Sequence, residues 1–300
     1  MSGAIKLQPV VKSYIWGGQY FQQFGKSNLP VVSELWELSV RGIDSSVISS
    51  GNNIGKRLDE VLTNKDIGPI SDRFPYFPLL IKLIDAKQDL SVQVHPSDEY
   101  ALKNERSYGK SEMWHILSCD AHAGIYIGLK ENSSKEEIEK HLKEGTILET
   151  LNFVEVKPGD TYLINPGTIH AIGKGVRLIE IQQNSDLTYR LYDYNRLGKD
   201  GQPRQLHIDK ALNVIDYKKY LINKNASSLL ADTPYFKVQR IEIKDHLLLK
   251  ANHNSFISFT FIEGDGYVDD VHYQQFDTFF LPYGEECEIK GNGVIILSEV

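Results

Sequence analysis

Short apolar segments broken by Pro, Gly, Asn and Asp recur along this 300-residue chain, and few helical stretches separate them. "PLLIKLID", "LSVQVH", "HAGIYIGL", "TYLINP", "VRLIEIQQ", "FISFTFIEG", "DTFFLP" and "GVIILS" are examples. Many lie near the roughly 8–12-residue spacing of a β sandwich or barrel. Strand–helix alternation is missing, as are GxGxxG and P-loop signatures, which excludes a doubly wound nucleotide-binding fold. Three segments read as helices. "PSDEYALKNE" is short, and "SSKEEIEKHLKEG" pairs Ser134 with Glu137 as a capping box before a stop at Gly145. "QLHIDKALNVIDY" puts Ile208, Ala211, Leu212 and Ile215 on one face. The pattern predicts a mainly β protein with a few short helices.

A chain of this length holds one large core or two packed ones. A loose internal parallel favours two. Lys157–Pro158–Gly159–Asp160 leads into "TYLINPG", a turn, a strand and a second Pro-Gly turn. "FDTFFLPYG", Phe276 to Gly284, repeats Asp, apolar strand, Pro and Gly. The first copy continues to His170, whereas the second has no histidine. We therefore expect a metal-binding catalytic unit over residues 1–225 and a metal-free β unit over 226–300, with "NKNASSLLADTP" linking them.

Charge and cysteine usage narrow the partners. A formal charge of −7 argues against a general nucleic-acid binder, whose footprint is a basic patch. No apolar run approaches the ~20 residues of a membrane span, and the N-terminus shows no secretory h-region. Cys119 and Cys287 are too few for a disulfide framework and form no CxxC, so a cytoplasmic protein is expected.

The stretch "LSVQVHPSDEYALKNERSYGKSEMW", Leu90 to Trp114, carries the clearest chemistry. On a strand, residues two apart share a face, so Gln93 and His95 point together while Val92 and Val94 point away. Glu112 adds a carboxylate, and "NPGTIHAIG" delivers His170 just after a Pro-Gly turn. Zinc takes imidazole nitrogen and carboxylate oxygen readily. Two histidines with a carboxylate suit Fe(II) or another divalent ion as well, so the donors do not choose the metal. A lone strand histidine is more often a packed core residue. On these residues alone the metal and structural readings stand level.

Taken together, "PLLIKLIDAKQDLSVQVHPSD", "KSEMWHIL", "INPGTIHAIGKGVRLIEIQQNSDLTYRLYDYNR" and the early "WGG" resemble the type I mannose-6-phosphate isomerases. The short bacterial form, without an extra helical domain, is the nearest likeness, and it covers much of residues 14–196. The resemblance implies cupin-type double-stranded β-helix (jelly-roll) barrels in a bicupin arrangement. It implies one zinc ion held by Gln93, His95, Glu112 and His170. It also implies an aldose–ketose isomerase that interconverts mannose 6-phosphate and fructose 6-phosphate through a cis-enediol. Three departures stand out: Lys110–Ser111–Glu112 replaces Lys-Pro-Glu, Gln93-x-His95 replaces the general cupin His-x-His, and Pro166 adjoins Gly167 directly.

By the same resemblance Arg190 is the active-site arginine, flanked by Asp186 and Arg196, with Trp16, Glu34 and Trp36 in the pocket wall. The structural alternative for Arg190 is an ion pair with Asp186 or Asp193. Lys110, two residues before Glu112, is placed to shuttle a proton or bind phosphate, and Ser91 to offer a hydroxyl to phosphate. The base is left between Lys110 and a metal-bound water. His115 faces away from Glu112 on a strand and reads as structural. His122, His141, His207, His246, His253 and His272 show no partner pattern. Two other functions compete: an Fe(II) cupin oxygenase and a non-enzymatic sugar-phosphate-binding cupin. The expected partner is a small sugar phosphate, without nucleic acid or membrane, and the chain is expected as a monomer or homodimer.

Overall fold

A computed structural model describes residues 1–198, 201–223, 227–251 and 254–300. His253 and part of the linker segment lie outside the described residues.

The strand Leu79–Ala86 is buried along its whole length, which explains why it reads as a nearly unbroken apolar run. It sits inside a six-stranded antiparallel sheet, ordered Thr161–Ile164, Glu112–Cys119, Val176–Gln183, Leu79–Ala86, Glu34–Leu38, Val10–Lys12. A five-stranded sheet packs against one face: Tyr189–Tyr192, Val92–Val94, His170–Ile172, Gly124–Leu129, Leu151–Glu155. Ile84, Trp114, Ile116 and Leu178 from the first sheet meet Ile125, Ile127, Val154 and Ile172 from the second in one buried cluster. These two sheets form a cupin-type barrel.

The remaining strands build a nine-stranded antiparallel sheet wrapped around Phe259, Phe261, Tyr273, Phe279 and Ile295. Its outer face carries Phe256, Phe276, Phe280 and Ile296, which pack against Leu35, Leu79, Ile81, Leu83 and Ile181 of the first barrel. The two barrels thus stand back to back across a shared apolar core. The strand Ile5–Gln8 pairs with Thr278–Leu281, so the chain's first strand lies in the same sheet as its last ones.

The repeated turn is the same object in both halves. Asp160 N–H bonds Lys157 O, and the Asp160 carboxylate accepts the Lys157 N–H. Asp277 and Gln274 make the same two bonds. Gly159 takes the left-handed conformation in the first copy at φ 91°, and Phe276 takes it in the second at φ 69°.

Two expected helices form as Asp98–Asn104 and Lys135–Glu144, the latter with the reciprocal Ser134–Glu137 box and Gly145 at φ 72°. The third is shorter than its apolar period, covering only Ile208–Leu212. Asp216 gives its N–H to Gly167 O rather than back to Leu212 O, so the C-terminal end is drawn into another pairing. Among the described residues no helix is long and apolar enough to cross a membrane.

Candidate active site

Strand register assembles the site. Gln93 stands opposite His170 on one side and Arg190 on the other. Directly opposed residues share a face, and neighbouring strands are about 4.8 Å apart, so Arg190, Gln93 and His170 form a row roughly 10 Å long. On the facing sheet, Trp114, Glu180, Lys82 and Trp36 form a second row across four strands. Glu112 lies two residues from Trp114 on the same face. The barrel interior is therefore apolar at the Ile116–Leu178 end and polar at the Glu112–Glu180 end.

His95, Glu112 and His170 are buried, and one ligand atom from each lies within 4.8 Å of the others. His95 Nδ1 is 2.8 Å from Leu187 O and His170 Nδ1 is 2.8 Å from Thr168 O. A carbonyl only accepts, so each ring carries its proton on Nδ1 and presents a bare Nε2. These Nε2 atoms face Glu112, His95 at 3.5 Å from Oε2 and His170 at 3.3 Å from Oε1. Burial holds the His95 imidazole below its ordinary value and pushes His170 down to about 4, so both are neutral near pH 7. Burial alone would raise the Glu112 carboxyl, but the Lys110 ammonium beside it pulls the other way, and the carboxyl is held well below the carboxylate range. Lone pairs thus face a carboxylate with no proton between them. A cation at their centre resolves that conflict. Gln93 Nε2 lies 3.3 Å from His170 Nε2, and a half turn of its amide presents Oε1 at the same place.

A buried ion network surrounds this group. Lys110 Nζ is 2.7 Å from Glu112 Oε2 and 3.7 Å from Glu180 Oε1. Lys82 Nζ is 3.1 Å from Glu180 Oε1 and 3.7 Å from Glu34 Oε2. Indole N–H groups hold both carboxylates: Trp114 donates to Glu180 at 3.0 Å and Trp36 to Glu34 at 2.6 Å. Burial alone would depress Lys82, yet Glu180 and Glu34 reverse that and raise it. Three carboxylates against two ammonium groups leave one net negative charge, which favours a divalent cation.

A cavity of about 550 Å³ opens onto this end of the barrel. Trp16, Ser91, Gln93, Lys110, Asp186 and Arg190 line it, as do Lys82, Glu180, Arg204 and His207. Arg196 is not among the lining residues; it donates to Asp193 and to Asp89 O. Neither ion pair considered for Arg190 forms. Asp186 pairs with Arg41, and Asp193 with Arg196 and Arg204. Arg190 instead donates Nε to Ser91 Oγ at 3.2 Å and Nη1 to Gln205 O at 2.9 Å. His115 points out of the barrel and bonds Thr161 at 2.8 Å.

Lys82, Glu180, Arg204 and His207 are functional candidates that sequence reasoning passed over. The first two had a signal: "LLIKLID" and "RLIEIQQ" each embed one charge in an apolar strand, and register places the two charges opposite one another. Arg204 lies in a polar loop without periodicity and had none.

Known proteins share this architecture. Residues 4–117 match the model of the type I phosphomannose isomerase catalytic domain. Mannose-6-phosphate isomerase ManA of Bacillus subtilis (strain 168) is 36% identical over 313 residues, covering 98% of each chain. The mannose-6-phosphate isomerase of Streptococcus mutans is 34% identical over 253 residues, covering 81% of this chain and 80% of its own. A crystal structure of the Bacillus subtilis mannose 6-phosphate isomerase superposes with a TM-score of 0.90 at 34% identity, covering 100% of both chains. With a full-length relative at this identity, a matching catalytic-domain model and a common fold, the chain belongs to the type I phosphomannose isomerase family.

Proposed function

We propose that this protein is an aldose–ketose isomerase that interconverts mannose 6-phosphate and fructose 6-phosphate, with one zinc ion held by Gln93, His95, Glu112 and His170. The observation that carries the reading is the convergence of two bare imidazole nitrogens on the Glu112 carboxylate inside a polar barrel end. When bound, the ion would supply Lewis acidity toward the sugar oxygens near C1 and C2.

The chain's own residues supply the rest. Lys110 Nζ, held 2.7 Å from Glu112, brings an exchangeable proton to the cavity wall, suited to the proton traffic between C1 and C2. Arg190 stays protonated and spans adjacent oxygens, so it serves the oxygen on which enediolate charge develops. Trp16 and Trp36 form an apolar wall that keeps water from the reacting carbons. Ser91 and Asp186 offer hydrogen-bonding groups to the sugar phosphate. Arg196 supports the substrate by bracing Asp193 behind the cavity wall.

Residues 1–225 carry this chemistry, and 226–300, joined by the strand Ile5–Gln8, back it through the shared core. Cys119 and Cys287 are free thiols, which supports a reducing, cytoplasmic setting. We place the enzyme there as a monomer or homodimer.

Conversion of mannose 6-phosphate under strictly anaerobic conditions tests the function. Isomerisation consumes no oxygen, so undiminished fructose 6-phosphate formation is expected. Product formation that required oxygen would point to an iron oxygenase instead.

A further inference from the structure

The cavity is electrically two-ended. On the Arg190 side of the cavity, Arg196 and Arg204 share a single buried carboxylate, Asp193, and Arg190 has no carboxylate in ion-pair contact among the described residues, which leaves a surplus of two positive charges. The chain as a whole carries −7, so this surplus is local and placed. Arg204 commits Nε and Nη2 to Asp193 at 2.7 and 2.5 Å, leaving Nη1 with no protein acceptor among the described residues. His207 lies beside it in the cavity wall. Arg190 N–H donates to His207 Nδ1 at 3.3 Å, which fixes the ring proton on Nε2 as a second available donor. Ser91 Oγ accepts from Arg190 Nε and keeps its own proton to give.

Resting on the proposed sugar-phosphate chemistry, we propose that Arg204 and His207 are the phosphate-binding residues of this cavity, and that they couple phosphate recognition to the placement of Arg190. Arg204 Nη1, His207 Nε2 and Ser91 Oγ line one cavity and supply one donor for each of the three terminal oxygens of a phosphate monoester. The coupling is in the backbone. His207 N–H bonds Arg190 O at 2.8 Å, Arg190 N–H bonds the His207 ring, and Arg190 Nη1 bonds Gln205 O at 2.9 Å. Three hydrogen bonds therefore tie the segment carrying both phosphate donors to the arginine that serves the reacting carbons. A phosphate that immobilises the segment also immobilises Arg190, so remote binding energy is realised at the chemical step. Burial, together with Arg190 and Lys210, holds the His207 imidazole below its ordinary value, consistent with a neutral ring.

The test titrates inorganic phosphate calorimetrically into the full-length protein and its Arg204→Gln and His207→Phe variants, alongside mannose 6-phosphate kinetics. Loss of a charge-assisted bond weakens phosphate binding about 10- to 100-fold. KM for mannose 6-phosphate should rise by a similar factor, and kcat should fall with it because phosphate no longer clamps the segment to which Arg190 is tied. Arg204→Lys, which keeps the charge, should recover part of the phosphate affinity, and thermal melts of all variants separate lost binding from lost folding. Unchanged phosphate affinity in both folded variants, or no phosphate binding by the wild type, would overturn the proposal. Phosphate binding is read without turnover. A wild type that binds phosphate through Arg204 but isomerises nothing would support this site while contradicting the proposed function.

Discussion

His170 Nε2 and Glu112 Oε1 stand 3.3 Å apart, a bare imidazole nitrogen facing an ionised carboxylate in a fully buried setting. Two acceptors at that distance repel unless a cation lies between them. Removing the ring should remove the ion: His170→Ala is expected to lose bound metal, read by elemental analysis of the purified protein. Arg190→Ala should keep its metal and lose about 10²–10³-fold in kcat. Normal turnover by Arg190→Ala would contradict the role given to that guanidinium.

The Lys82–Glu180 pair makes a separate prediction about stability. Both side chains are buried, and each is the other's nearest counter-charge at 3.1 Å. Breaking such a pair from one side typically costs about 3–5 kcal/mol, whereas replacing both partners with neutral groups costs less. Lys82→Met, which leaves three buried carboxylates against the single ammonium of Lys110, should therefore lower the urea midpoint more than Lys82→Met/Glu180→Gln does. Equal losses in the two proteins would show that the charges are not coupled.

Glu37 faces the seam between the barrels, on the opposite side of its strand from Trp36. Both its carboxyl oxygens lack a hydrogen-bond partner among the described residues, and burial pushes its pKa up to about 7 against the pull of Lys26. The folded state thus holds this proton more tightly than the unfolded chain. Its contribution to stability is full below about pH 4.5 and is lost as pH rises to about 7, a change on the order of 3 kcal/mol. Glu37→Gln should flatten that slope and raise Tm at pH 8. A variant no more stable than wild type at pH 8 would contradict the assignment.

The shared core predicts how the molecule unfolds. Phe280 and Ile296 pack on Leu79 and Ile81 across the seam, and the C-terminal sheet needs Ile5–Gln8 as a strand. One cooperative thermal transition is expected, and Phe280→Ala should cost about 3–5 kcal/mol. Residues 226–300 expressed alone should not fold. Two separated transitions in the intact chain would show that the barrels are energetically independent.

Much of this was legible because strands write their geometry into alternation. Gln93 and His95 share a face by period, and the Asp-strand-Pro-Gly repeat marks equivalent turns at Asp160 and Asp277. What stayed hidden depends on pairings between distant segments. Nothing local says that Ile5–Gln8 would join Thr278–Leu281, or that Arg204 rather than Arg196 would reach the cavity. The third helix misled for a related reason. Its apolar period is sound, but Asp216 gives its N–H to Gly167 O instead of continuing the ladder.

His95, Glu112, His170 and Gln93 are expected to hold a metal on which mannose 6-phosphate isomerisation depends. The decisive measurement is dialysis against a strong chelator, followed by an assay of fructose 6-phosphate formation before and after adding Zn²⁺. Activity should disappear with the metal and return with stoichiometric zinc. Full activity in protein shown by elemental analysis to be metal-free would contradict it.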